Sequence, residues 1–139
     1  MPEFPTDPWV KAFIEQINGS AEYAESAAGW EGDVAIVIEA EPDLGVPQTV
    51  WALLELHDGG CRGGGVVAEE RGTRAPFVIR ASYSRWKDVI RGDLDPIKAM
   101  MQGKLKVQGD LPRIIRYARA TSELAHLTQL VDASFPDET

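Results

Sequence analysis

Chemistry in this chain has few places to start. Its two histidines are His57 and His126, and its one cysteine is Cys61. His57 and Asp58 are adjacent in a segment with strand character, where successive side chains leave opposite faces, so they do not form a base–carboxylate dyad. His126 stands between Ala125 and Leu127 in a helical pattern and reads as helix surface or packing. Cys61 has Arg62 beside it, which favours a thiolate, but no partner histidine to act as its base is visible from the sequence. Two histidines and one cysteine do not complete a tetrahedral metal set, and a lone cysteine excludes an intramolecular disulfide framework. Glu69-Glu70 reads as the solvated end of a strand. The runs Gly59-Gly60 and Gly63-Gly64-Gly65 lack the lysine and helix start of a phosphate-cradling loop. The expectation is a protein without intrinsic catalysis, cofactor or metal.

Arginines are the other chemically able group. Arg80, Arg85, Lys87 and Arg91 cluster along the chain, as do Arg113, Arg116 and Arg119. A guanidinium can hold a carboxylate or phosphate through two parallel hydrogen bonds, and a solvated surface is the competing reading. The charge is unevenly spread: residues 1–45 carry ten acids and one base, and residues 71–119 carry twelve bases and four acids, within a net charge of −8. That balance argues against a nucleic-acid partner, whose affinity comes largely from phosphate neutralisation. The basic second half is left to meet an anionic head group, a partner, a second copy, or the chain's own acidic first third.

The 139 residues, 44% of them apolar, suit one domain, 1–139, able to bury a core without covalent staples. No apolar run reaches the ~20 residues of a membrane span. The start Met1-Pro2-Glu3-Phe4-Pro5 has neither the basic nor the apolar region of a secretory leader, so a cytoplasmic location is expected. Asp7-Pro8 opens a helical region over 8–28, with Trp9, Val10, Phe13, Ile14 and Ile17 on one face. After Gly32 the period becomes two. Val34, Ile36 and Ile38 alternate with Ala35, Val37 and Glu39. Residues 48–57 have Trp51 and Leu53 on one side, Leu54 and Leu56 on the other. A glycine-rich strand over 61–70 and a fourth strand with Phe77, Ile79, Ala81 and Tyr83 on one face complete an expected antiparallel meander. Ser84 then reads as the cap of a short helix to Ile90, and Asp95-Pro96 as the start of another. Lys104–Gln108 alternates as a fifth strand, and Asp110 caps a C-terminal helix over about 112–131. The class is α+β, a five-stranded mainly antiparallel sheet covered on one side by helices.

The stretch Gly92-Asp93-Leu94-Asp95-Pro96, Lys98-Ala99 and Gly103-Lys104-Leu105-Lys106-Val107-Gln108-Gly109-Asp110 resembles the sterol carrier protein 2 (non-specific lipid-transfer) family. The order of elements over the whole chain agrees with that likeness, whose specific part is the 92–110 motif. With no fused catalytic domain and no peroxisomal address at Thr139, the likeness is to a stand-alone bacterial or archaeal member. The resemblance implies an apolar tunnel between sheet and helices that takes fatty acids, acyl-CoA esters, sterols or similar molecules without chemistry. The motif glycines and the capping Asp95 and Asp110 are read as structural.

A tunnel needs large adaptable apolar side chains. Trp51, Leu53, Phe77, Ile79 and Tyr83 are the candidates on the strands, and Trp86, Ile90, Ile97, Met100 and Met101 on the helices, each with ordinary core packing as the alternative. Arg80 and Arg91 are the head-group candidates. The expected partner is a hydrophobic small molecule. Transient contact with an anionic membrane, a homodimer, or service as an accessory subunit presenting a hydrophobic substrate to a degradative enzyme are further readings.

Overall fold

Residues 1–138 are described by the computed structural model. Thr6, rather than Asp7, caps the first helix, its hydroxyl accepting from the Trp9 amide; α1 runs Asp7–Asn18 with Pro8 in its first turn. α2, Ala21–Ser26, is capped by Ser20, so the helical region expected over 8–28 is two helices that part at Gly19. The strands are β1 (Val34–Glu39), β2 (Val50–His57), β3 (Gly60–Val67), β4 (Phe77–Ser82) and β5 (Lys106–Gln108). Between β3 and β4 lies a one-turn helix, α3 (Glu69–Gly72), where the sequence had suggested only a strand end. α4 is Tyr83–Ile90, capped by Ser82 and not by Ser84, whose amide instead donates to Glu41 Oε1 at 2.7 Å. α5, Pro96–Met101, is capped by Asp95, whose carboxylate accepts from the Ile97 and Lys98 amides. The C-terminal helix is two: α6 (Leu111–Arg116), capped by Asp110, and α7 (Ala118–Gln129), meeting at Tyr117.

The sheet order is β3-β2-β1-β4-β5. This corrects the expected meander. β4 does not pair with β3; it crosses to the far side of β1 and runs parallel to it, while the other three pairings are antiparallel. The reason is local. α3 packs on β2, and Gly72 comes so close to the Trp51 ring that an added Cβ would lie 2.4 Å from Cε3. The chain thus passes over one sheet face instead of turning tightly at the edge.

Register sorts the strand side chains into two sets. Leu54–Val34–Phe77, Ala52–Ile36–Ile79 and Val50–Ile38–Ala81 form rows on one face; Leu53–Ala35–Val78 and Trp51–Val37–Arg80 form rows on the other. The first face meets the main helical layer, in which α7 touches α1, α2, α4, α5 and α6. The second holds a smaller core of Ala35, Val37, Trp51, Leu53 and Val78.

β3 would be an open edge, and open edges invite unwanted pairing. Here α1 covers it with side chains: Asn18 exchanges two hydrogen bonds with the Cys61 backbone at 2.8 and 2.9 Å, Lys11 donates to the Gly64 carbonyl, and Asp7 accepts from the Val66 amide at 2.8 Å. Asp7, read from sequence as a helix cap, serves this edge.

Candidate functional site

Between the first sheet face and the helices lies a cavity of about 120 Å³, partly open to the outside. Its floor is built by alternation. Val34, Ile36 and Ile38 of β1, Val50, Ala52, Leu54 and Leu56 of β2, and Ile79 of β4 all point into it. Ala52 beside Ile36 and Ile79 is a small residue in a row of large ones, which leaves space above the sheet centre. The roof comes from Trp9, Val10 and Phe13 of α1, Tyr23 of α2, Trp86, Val89 and Ile90 of α4, Pro96 and Met100 of α5, Ile114 of α6, and Ala120, Thr121, Leu124, Ala125 and Thr128 of α7. Phe4, Pro5, Ala27, Trp30, Leu105 and Tyr117 close the remainder.

No Asp, Glu, Lys, Arg or His is among these lining residues. The few polar groups are mostly engaged. Trp30 Nε1 donates to the Gly32 carbonyl at 3.0 Å and Trp86 Nε1 to the Val37 carbonyl at 2.9 Å. Thr121 and Thr128 donate back to carbonyls of their own helical region, those of Tyr117 and Ala125. Burial, with the nearby Cys61 thiol, pushes the Tyr23 phenol well above its usual range. With no charged or imidazole side chain on it, the wall meets a guest chiefly through apolar contact.

Of the candidates from sequence, the structure brings Ile79, Trp86, Ile90 and Met100 together on this wall. The others lie elsewhere, each for a physical reason. Trp51 and Leu53 are buried on the opposite sheet face, because alternation along β2 turns Ala52, Leu54 and Leu56 to the cavity. Phe77 packs against Trp30 with ring centroids 4.9 Å apart, in the core beside the chamber. Tyr83 is fully buried, stacked on Phe4, and donates its hydroxyl to Asp137 at 2.6 Å; burial first and that carboxylate second raise its pKa. Ile97 is half-buried against the core, while its neighbour Pro96 reaches the wall. Met101 is 67% exposed, because the two methionines are adjacent on a helix and leave it in different directions.

The two head-group candidates also face away. Arg80 stands over the Trp51 ring at 5.3 Å and 3.8 Å from Glu39, on the second sheet face. Arg91 pairs with Glu138 and lies over the Phe135 ring at 4.8 Å. With Lys87, which contacts Asp137 at 2.8 Å and Glu138 at 2.6 Å, it pins the C-terminal segment. Lys87 and its hydrogen bonds pull both carboxylates below their usual range. Burial opposes charge on Lys87, but the two carboxylates outweigh it and its pKa rises. Arg119 reaches Glu22 at 2.7 Å and Arg71 reaches Asp33 at 3.9 Å. Part of the basic second half therefore neutralises the acidic first third.

Sequence reasoning missed Phe4, Trp9, Phe13, Tyr23 and Trp30 as wall residues. The N-terminal face of Trp9, Val10 and Phe13 was legible as buried. What it was buried against depended on contacts far along the chain.

The sequence matches the family model described as the SCP-2 sterol transfer family over residues 10–121. The chain belongs to that family. A crystal structure of sterol carrier protein 2 is 34% identical, covers 91% of this chain and 98% of its own, and superposes with a TM-score of 0.83. The solution structure of a conserved protein from Thermus thermophilus, described as a candidate sterol carrier protein, is 33% identical over 96% of this chain and 93% of its own, with a TM-score of 0.84. A ubiquinone synthesis protein, UbiJ-SCP2, shares the fold at 19% identity, covering 96% of this chain and 99% of its own, with a TM-score of 0.52. No curated protein matches. Membership in the SCP-2 family assigns lipid or sterol binding or transfer as the general function. No helix among the described residues of this SCP-2 protein is long and apolar enough to cross a membrane.

Proposed function

We propose that the protein binds a lipid or a comparable hydrophobic small molecule in the chamber between sheet and helices, and releases it chemically unchanged. The single observation that carries this reading is the wall itself: a partly open space lined without one charged side chain. Large apolar surfaces left facing a void forgo dispersion contacts, and an apolar guest restores them while leaving water. Ile79, Trp86, Ile90 and Met100 are the lining residues expected from sequence; Ala52, Leu54, Trp9 and Trp30 join them on the strength of the geometry. Acyl chains and sterols are the ligand classes that fit such a wall.

Native mass spectrometry of gently purified protein, followed by solvent extraction, tests this. A stoichiometric adduct that leaves in solvent, and whose rebinding is lost when the chamber is filled, is the expected result. A bare mass that persists after incubation with long-chain alcohols, fatty acids and sterols overturns it.

A second reading, presentation of a hydrophobic substrate to a partner enzyme, draws on one observation: Lys98, Lys104, Lys106 and Arg116 of the basic segment have no ion pair among the described residues. They are exposed, and they suit an acidic docking surface. Salt-sensitive co-purification with an enzyme favours it; a salt-independent lone monomer that holds ligand counts against it.

A further inference from the structure

One side chain outside the chamber fastens the roof and is also chemically labile. Asn18 ends α1 and is the single asparagine of the sequence. Its carboxamide grips the β3 edge: Oδ1 accepts from the Cys61 amide at 2.8 Å, and Nδ2 donates to the Cys61 carbonyl at 2.9 Å. Gly19 follows it. Without a Cβ, glycine leaves its own amide nitrogen the freest approach to the side-chain carbon of a preceding asparagine. The backbone does not require glycine here. Its φ is −92°, and the nearest atom to an added Cβ, the Glu15 carbonyl oxygen, would lie 3.4 Å away. The helix that Asn18 ties down lends Trp9, Val10 and Phe13 to the chamber wall.

We propose that Asn18 is a site of spontaneous deamidation, closed while α1 is docked on β3 and opened when α1 lifts, and that a guest in the chamber protects it. Only the last clause rests on the reading of the chamber as a lipid site. The reaction needs no reagent but water. The Gly19 nitrogen loses its proton and attacks Asn18 Cγ, the bond from Cγ to Nδ2 breaks, and ammonia leaves. The resulting five-membered imide takes up one water and opens to aspartate or isoaspartate. In sum, a carboxamide and a water become a carboxylate and an ammonium ion. Two contacts keep the site closed. Gly19 N–H donates to the Glu15 carbonyl at 3.0 Å, which occupies the nucleophile. The two bonds to Cys61 deny the carboxamide the rotation that attack requires. The rate then follows the population of the opened form, and a guest that binds only the docked form lowers that population. The product does not suit the old seat. Aspartate still accepts from the Cys61 amide, but it brings a second oxygen without a proton to the Cys61 carbonyl. Asp7 and Lys11 are then the remaining described hydrogen bonds from α1 side chains to β3, so modification loosens the roof helix.

The test ages the full chain at pH 8 in three states: delipidated, loaded with hexadecan-1-ol from phosphatidylcholine vesicles, and unfolded in guanidinium chloride. Peptide mapping by mass spectrometry follows the gain of one mass unit at Asn18, enzymatic methylation counts isoaspartate, and solvent extraction measures bound alcohol. The unfolded chain is expected to react fastest, the delipidated fold at least tenfold more slowly, and the loaded fold at least twofold more slowly again. Gly19→Ala, which the backbone accepts, should slow the unfolded reaction at least tenfold and leave ligand uptake unchanged. Asn18→Asp should lower the Tm by roughly 3–6 °C, the shift expected for about one lost hydrogen bond. Equal rates in the folded and unfolded chain overturn the proposal, and so does an Asn18 that stays intact in guanidinium chloride. Neither result depends on a variant that folds. Equal rates in the loaded and delipidated protein at full occupancy overturn the protection by a guest and leave the lipid reading standing. If hexadecan-1-ol does not enter at all, it is the lipid reading that fails, while the folded and unfolded rates still decide the modification site.

Discussion

Ala52→Ile turns the cavity into a measurable quantity. Ala52 sits at the middle of the floor, paired with Ile36 of β1, and it is a wall residue. Isoleucine suits a strand and adds three carbons. They project from the floor into the ≈ 120 Å³ chamber. Burying them contributes up to about 2.4 kcal/mol at ~0.8 kcal/mol per carbon, from which rotamer and fitting costs of about 1 kcal/mol are to be subtracted. For a chain of this size that corresponds to a rise in Tm of roughly 3–6 °C. The same three carbons occupy the place of a guest, so affinity for hexadecan-1-ol should fall by up to about fiftyfold. Thermal unfolding followed by circular dichroism, on delipidated protein because bound ligand itself stabilises the native state, gives the first quantity; probe partitioning from vesicles gives the second. A lower Tm with unchanged ligand occupancy would refute the reasoning, since overpacking a filled core costs stability by about 1–3 kcal/mol and displaces no guest.

Three further outcomes follow from placement. Met100→Glu puts a carboxylate on a wall without cations and should abolish lipid uptake and lower the urea midpoint, while Met101→Glu, one residue on and exposed, should leave both near wild type; equal effects would contradict the geometry. Trp51→Ala removes a buried ring from the second sheet face and should cost about 3–5 kcal/mol in chemical denaturation, with ligand occupancy of the folded fraction retained; selective loss of binding without loss of stability would return Trp51 to the site. Asp137 has a lowered folded pKa, through hydrogen bonds from Lys87 and then Tyr83, so its contribution is present above the usual carboxylate range and is lost as pH falls below about 4. Asp137→Asn should therefore be less stable than wild type at pH 7, by a margin that shrinks as the pH is lowered through the acid range; a difference that does not change on acidification refutes the assignment.

How much of this was legible beforehand differs from element to element. The caps at Asp95 and Asp110 were readable because a cap is a contact within three residues. Thr6 and Ser82 displaced the expected Asp7 and Ser84 by one and two positions, since side chains that look like caps can serve distant partners: Asp7 serves β3, and the Ser84 amide is answered by Glu41. The alternation of β1 and β2 was plain, and so was the 92–110 motif. Which face of β2 would meet the helices was not. Trp51 and Leu53 are as apolar as Leu54 and Leu56, so a period of two marks the faces without ranking them.

The sequence by itself determined the α+β class, the five strands, the family likeness, and the scarcity of groups able to do chemistry, because these follow from residue types and short-range periodicity. The tertiary structure alone decided the parallel pairing of β1 with β4, the side of the sheet on which a space remains, and which aromatic residues enclose it. Those are outcomes of long-range packing. Phe4, Trp9 and Trp30 become walls of one chamber only when the helices and the sheet are laid against one another.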